Sequence, residues 1–190
     1  MLMKVSKGHQ GYLKARKRSL LFRTLLLFIG IIGLVLIGWV TLKTNKNWLS
    51  IVACLSAIPM AMSLATLLSV RQFKERPAEE ISEIQNIIGK GVLDYDLIIA
   101  NREGKSYQLS YVYFHETGIF AFIPDEKTDI KKGQDYIRNF LRLDACDGPL
   151  TLYTNLNTYK KKLSSLSPSD RETCDEFLLK QEGVLRAIST

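Results

Sequence analysis

Asp94-Tyr95-Asp96 sets two carboxylates two residues apart in an apolar stretch. That D-x-D spacing is one with which a chain offers oxygen ligands to a divalent cation, so Asp94 and Asp96 are the candidate metal residues. In an alternating strand the same spacing simply turns both side chains to one side. Asp125, Glu126 and Asp129 make a second acidic group. There a strand exit runs into a helix start, where acids serve capping and the helix dipole. His9 and His115 are isolated in a tail and a turn, with no partner in sequence for catalysis or zinc. Cys54, Cys146 and Cys174 are scattered, in no C-x-x-C spacing, which fits a reducing compartment and ordinary thiols. No catalytic set and no cofactor motif emerges. Gly89-Lys90-Gly91 lacks the Walker spacing and reads as a helix stop.

The elements that must position these residues fall into two populations. All 19 Asp and Glu lie after Val70, and the 70 residues before carry only positive charge. Within that first part, Thr24 to Leu42 and Leu49 to Val70 are free of charge. At the helical rise of about 1.5 Å per residue each is long enough to cross a bilayer. The spacing predicts spans over 20–42 and 49–70, joined by the polar link Lys43-Thr44-Asn45-Lys46-Asn47-Trp48. A signal peptide is the rival for the first run, but it exceeds an h-region and no A-x-A-like site follows. Lys14, Arg16, Lys17, Arg18 and Arg23 precede the first span, and Arg71, Lys74 and Arg76 follow the second. The positive-inside rule then puts both termini in the cytoplasm, in a multi-pass protein of the cell membrane. These cations set topology, and with anionic head groups they also make lipid contacts. In the second span Ala53, Ala57, Ala61, Ala65 and Ser69 recur every four residues, and the first offers Gly30, Gly33 and Gly38. Such small-residue stripes let helices approach closely, within the hairpin or toward a homo-oligomer or another membrane protein.

After a linker over 71–77, residues 78–190 read as a cytoplasmic α/β domain, with 1–19 as a basic N-terminal segment. Residues 71–190 carry a formal charge of −2, so the basic isoelectric point is a topology signal and no nucleic-acid partner is expected. The stripe Tyr107, Tyr111, Tyr113 could stack bases, yet beside no basic patch it reads as core packing. Pro77 and the apolar Ile81, Ile84, Ile87 and Ile88 predict a first helix. Three strands follow: Val92 to Ala100, a second carrying Tyr107 to Phe114, and Ile119 to Ile123. Turns fall at Asn101 to Gly104 and His115 to Gly118. A helix over Asp129 to Leu143, a strand at Leu150 to Thr154 and a helix from Leu156 to Leu166 come next. The last helix is capped by Ser167 with Pro168 behind it and buries Cys174, Phe177, Leu178, Leu185 and Ile188. The fold class is thus a transmembrane hairpin plus an α/β domain of order α-β-β-β-α-β-α-α.

The first six elements of that order match the core of restriction-endonuclease-like nucleases. Ser110-Tyr-Val-Tyr-Phe-His-Glu-Thr-Gly-Ile-Phe-Ala-Phe-Ile-Pro-Asp125 resembles the central hairpin of nuclease-related (NERD-type) domains. The resemblance implies an Asp at Ser110, a Glu at Ile123 and a Lys at Asp125, and none of the three is present. It therefore implies the fold and argues against metal-dependent cleavage, because a hydroxyl and an aliphatic chain cannot hold the ion. Lys7-Gly-His-Gln-Gly-Tyr-Leu-Lys14 and the second span around Cys54 to Ala61 resemble small two-span membrane proteins of Gram-positive (clostridial) bacteria. The expected role is a non-enzymatic, membrane-anchored interaction or scaffold module. The alternatives are a degenerate nuclease-like hydrolase and an accessory subunit of a larger membrane complex.

Overall fold

The computed structural model describes residues 6–42, 48–89, 91–100, 106–125, 129–146, 148–166 and 176–189. The link 43–47, the turn 101–104, Lys90, Glu126, the cap at Ser167 and Pro168, and Cys174 lie outside the described residues. The chain divides into two compact units, Met1–Lys4 with Leu13–Lys74, and Val5–Tyr12 with Glu75–Thr190.

The first unit is a pair of helices, α1 (Tyr12–Leu42) and α2 (Trp48–Arg71), both long and apolar enough to cross a membrane. Within the apolar part of α1 the less exposed positions are Leu20, Thr24, Leu27, Ile31, Leu34 and Gly38, with Gly33 beside them. On α2 they are Ala53, Ser56, Met60, Ser63, Leu67 and Val70. Both sets alternate steps of three and four, the seam of helices that cross at a shallow angle. A hydrogen bond between Thr24 Oγ1 and Ser63 Oγ, 2.8 Å long, joins the two seams. Lys17 Nζ donates to the Phe73 carbonyl at 2.7 Å just beyond the end of α2.

The second unit is a four-stranded sheet with two helices on each face. Its elements are α3 (Ala78–Ile88), β1 (Val92–Ala100), β2 (Ser106–His115), β3 (Gly118–Phe122), α4 (Ile130–Leu143), β4 (Leu150–Tyr153), α5 (Leu156–Ser164) and α6 (Glu176–Ile188). The sheet order is β1-β2-β3-β4; the first two pairings are antiparallel and β3 runs parallel to β4. Ile137 and Leu141 of α4 and Leu185 of α6 close the core on one face. Ile81, Ile84 and Ile88 of α3, with Tyr159 and Leu163 of α5, close it on the other. β3 is buried throughout, as a continuous apolar run between two neighbours requires. Pro77 stands just before α3 in an extended conformation, and Asp129 caps α4 by accepting from the Lys132 amide.

The strands depart from simple alternation in one place. Val92 packs on the α4/α6 side while Tyr95 packs on the α3/α5 side; beyond Asp96 the parity inverts and Leu97 and Ile99 join Val92. On β2, Leu109 lies on the α4/α6 side with Val112 and Phe114, while Tyr111 and Tyr113 lie on the other. The slips oppose each other, since Tyr95 pairs with Tyr111 and Leu97 with Leu109, so the register is kept across a doubled bulge at Asp96 and Ser110. Asp96 itself has φ of 50°, in the left-handed region that Asp tolerates better than most residues. The tyrosine stripe expected from alternation is therefore split. Tyr107 lies against Gly133 of α4, whereas Tyr111 stacks between Phe122 and Tyr159 at 6.1 and 6.5 Å.

Candidate functional site

Asp94 is fully buried on β1, and its carboxylate takes two hydrogen bonds from Arg186 of α6, at 2.8 Å from Nε and 2.6 Å from Nη2. The same guanidinium reaches Glu182 one turn earlier on α6, so two buried carboxylates share one cation. Loss of solvent pushes the Asp94 carboxyl up to about 6 against the lowering pull of Arg186, and the Glu182 charge adds to the rise. The hydrogen bond to Asp94 holds the Arg186 guanidinium above its ordinary value.

Asp96 has other company. Gln108 Nε2 donates to its Oδ1 at 3.3 Å, and its charge is one of those felt by the Tyr111 phenol. The two carboxylates of the D-x-D sequence thus belong to different clusters, and the expectation that both simply face one side fails at the bulge. Tyr111 donates to Glu80 of α3 at 3.0 Å, and burial followed by the Glu80 charge holds its phenol well above the ordinary range. Arg76 belongs to this cluster too: it lies 3.9 Å from Glu80 and 5.1 Å above the Phe122 ring. Among the described residues no group of three or more His, Cys, Asp or Glu could hold a metal ion.

The positions aligned with the nuclease hairpin carry no such chemistry. Ser110 is buried, with no hydrogen-bond partner for its hydroxyl among the described residues. Ile123 is packed in the apolar core, and Asp125 is exposed. His115 closes its own turn: Nδ1 lies 2.9 Å from Thr117 Oγ1 and accepts from the Thr117 amide at 3.2 Å. Cys146 is buried with its thiol 3.4 Å from the Asp144 carbonyl, and Cys54 is exposed on α2.

In the helical pair, Ala53 and Gly38 lie in the seam and Gly33 is half-buried. Gly30, Ala57, Ala61, Ala65 and Ser69 are exposed. Of the flanking cations, Lys14, Arg18, Arg23, Arg71 and Lys74 are exposed, whereas Arg16 and Lys17 are half-buried.

The sequence offered no sign of a cluster at the outer edge of β1. Residues 6–11 form two turns, closed by the His9 amide on the Ser6 carbonyl and the Tyr12 amide on the His9 carbonyl, and meet that edge where the Tyr95 amide donates to the Gly8 carbonyl at 2.9 Å. Gly8 has φ of 82°, and a Cβ there would stand 2.6 Å from Arg186 Nε and 2.7 Å from the Asp94 carboxylate. Only glycine fits that approach. Lys7 Nζ donates to the Ser189 carbonyl and lies 3.5 Å from the Arg186 carbonyl, placing a cation on the carbonyl end of α6. Beside the segment opens a cleft of about 440 Å3 between His9, Gln10, Gln85, Gly89, Tyr95 and Arg186. No signal within a short window could have revealed the contact, because Lys7 and Ser189 are 182 residues apart.

No protein-family model, no curated protein and no solved structure matches this chain.

Proposed function

We propose that the chain is an integral membrane protein whose α1–α2 hairpin anchors a domain that works by binding partners and not by catalysis. The observation that carries this reading is the fate of the reactive side chains. Asp94 is taken up by Arg186, and the two hairpin positions where a nuclease needs carboxylates are a buried serine and a core isoleucine. Both ends of the hairpin face the cytoplasm on this reading, because the cations gather before α1 and after α2. The domain takes the restriction-endonuclease-like topology. Its support is the order α-β-β-β-α-β, with antiparallel β1-β2-β3 and a parallel β4 beside β3. The test is affinity capture of the full chain from detergent, beside a chain ending at Glu75. Partners retained only by the full chain are expected; an identical set from both would end the proposal.

The same topology favours a second reading, a hydrolase that keeps the fold with a different set of groups. It requires divalent-metal-dependent cleavage of nucleic acid that is lost in Asp94→Asn or Asp96→Asn. Inactivity of the purified full chain across Mg2+, Mn2+ and Ca2+ retires it. A third reading, an accessory subunit, draws on the exposed face Ala57, Ala61, Ala65 and Ser69. Native sizing in mild detergent separates a large complex from a lone chain.

A further inference from the structure

We propose that the outer edge of β1 is a binding site for a basic peptide turn carrying a Lys-Gly step, and that Ser6–Gly11 is its built-in occupant. The site is already formed around that occupant. Strand β1 is the edge of the sheet; the Gly8 carbonyl takes up its Tyr95 amide at 2.9 Å in an isolated bridge, and Ser189 bridges Ile99 farther along the same edge. Each of two consecutive residues is read by a separate feature. The lysine amine is received by backbone carbonyls at the end of α6, where the helix dipole favours a cation. The glycine is read by exclusion, since any side chain would strike Arg186 and Asp94. The cleft of about 440 Å3 has room for larger side chains in place of His9 and Gln10. A partner peptide must therefore outcompete a tethered copy.

The probe is a fluorescent peptide Ser-Lys-Gly-His-Gln-Gly-Tyr, titrated by anisotropy into the full-length protein in detergent. Gly8→Val in the protein disables the built-in occupant, so this variant is expected to bind the probe at least tenfold more tightly than the wild type. Probes altered at Lys7→Met or Gly8→Val are expected to bind it at least tenfold more weakly. Binding should also slow hydrogen exchange at the Tyr95 amide, which the Gly8→Val substitution leaves unpaired. A folded variant that binds no better than the wild type, or does not distinguish the three probes, overturns the proposal. If Gly8→Val does not fold, Lys7→Met in the protein is judged by the same criteria. If neither folds, the segment is an obligatory part of the fold and the proposal falls.

Discussion

Burial of Asp94 ties the stability of the domain to pH in the direction opposite to that of an exposed, salt-bridged carboxylate. Its unperturbed value is 3.8 and its native value about 6, so between those limits the folded state keeps a proton that the unfolded chain has lost. Stability from this group is complete below about pH 3.8 and is lost as pH rises through 6. A shift of this size corresponds to about 3 kcal/mol. Relative to Asp94→Asn, the wild type should therefore lose up to about 3 kcal/mol between pH 4 and pH 7 in denaturant titrations. A difference that stays level across that range would show Asp94 ionised throughout. Asp94 and Asp96 were visible in sequence as a pair, but their separate partners were not. Every residue of β1 from Asp94 to Ile99 is buried, so no polar and apolar alternation marks where the parity slips.

At the level of elements, the β2–β3 turn and the α1–α2 seam give contrasting tests. Gly118 has φ of 138°, and a Cβ there would stand 2.4 Å from the Pro149 carbonyl oxygen in the segment leading into β4. That neighbour is backbone and cannot rotate away, so Gly118→Ala should cost about 2–4 kcal/mol by thermal or denaturant unfolding. Gly133→Ala meets only the Tyr107 ring edge, at 3.2 Å, and should cost less. In the hairpin, Ala53 lies in the seam and Ala61 does not. Disulfide formation between Thr24→Cys and Ser63→Cys should therefore fall in an Ala53→Leu background and persist with Ala61→Leu. Equal yields would place the seam elsewhere. Most of the domain's strands and helices were legible, because turn residues, the Asp129 cap and the isoleucine spacing of α3 are local signals. The seam was not, since a helix apolar on all sides has no polar face to orient it. Small residues at period four suggested a contact face, and the structure leaves most of that face exposed.

For the whole molecule, orientation is the property most open to a direct test. Impermeant thiol reagents applied to intact cells should label Asn45→Cys and spare Ser6→Cys, in a background lacking Cys54, Cys146 and Cys174. Labelling of Ser6→Cys instead would invert the topology. The second compact unit contains both Val5–Tyr12 and Glu75–Thr190, so it is discontinuous in sequence, with the helical pair as an insertion. The edge contact of Lys7 has a consequence for synthesis. Its carbonyl partner at Ser189 follows 182 residues later. At roughly 5–20 residues per second, translation takes on the order of ten to forty seconds to cover that interval. Until Ser189 is made, the segment can meet β1 only through the Gly8 carbonyl on the Tyr95 amide, without the Lys7 anchor on α6, so a competing peptide meets a less firmly held edge.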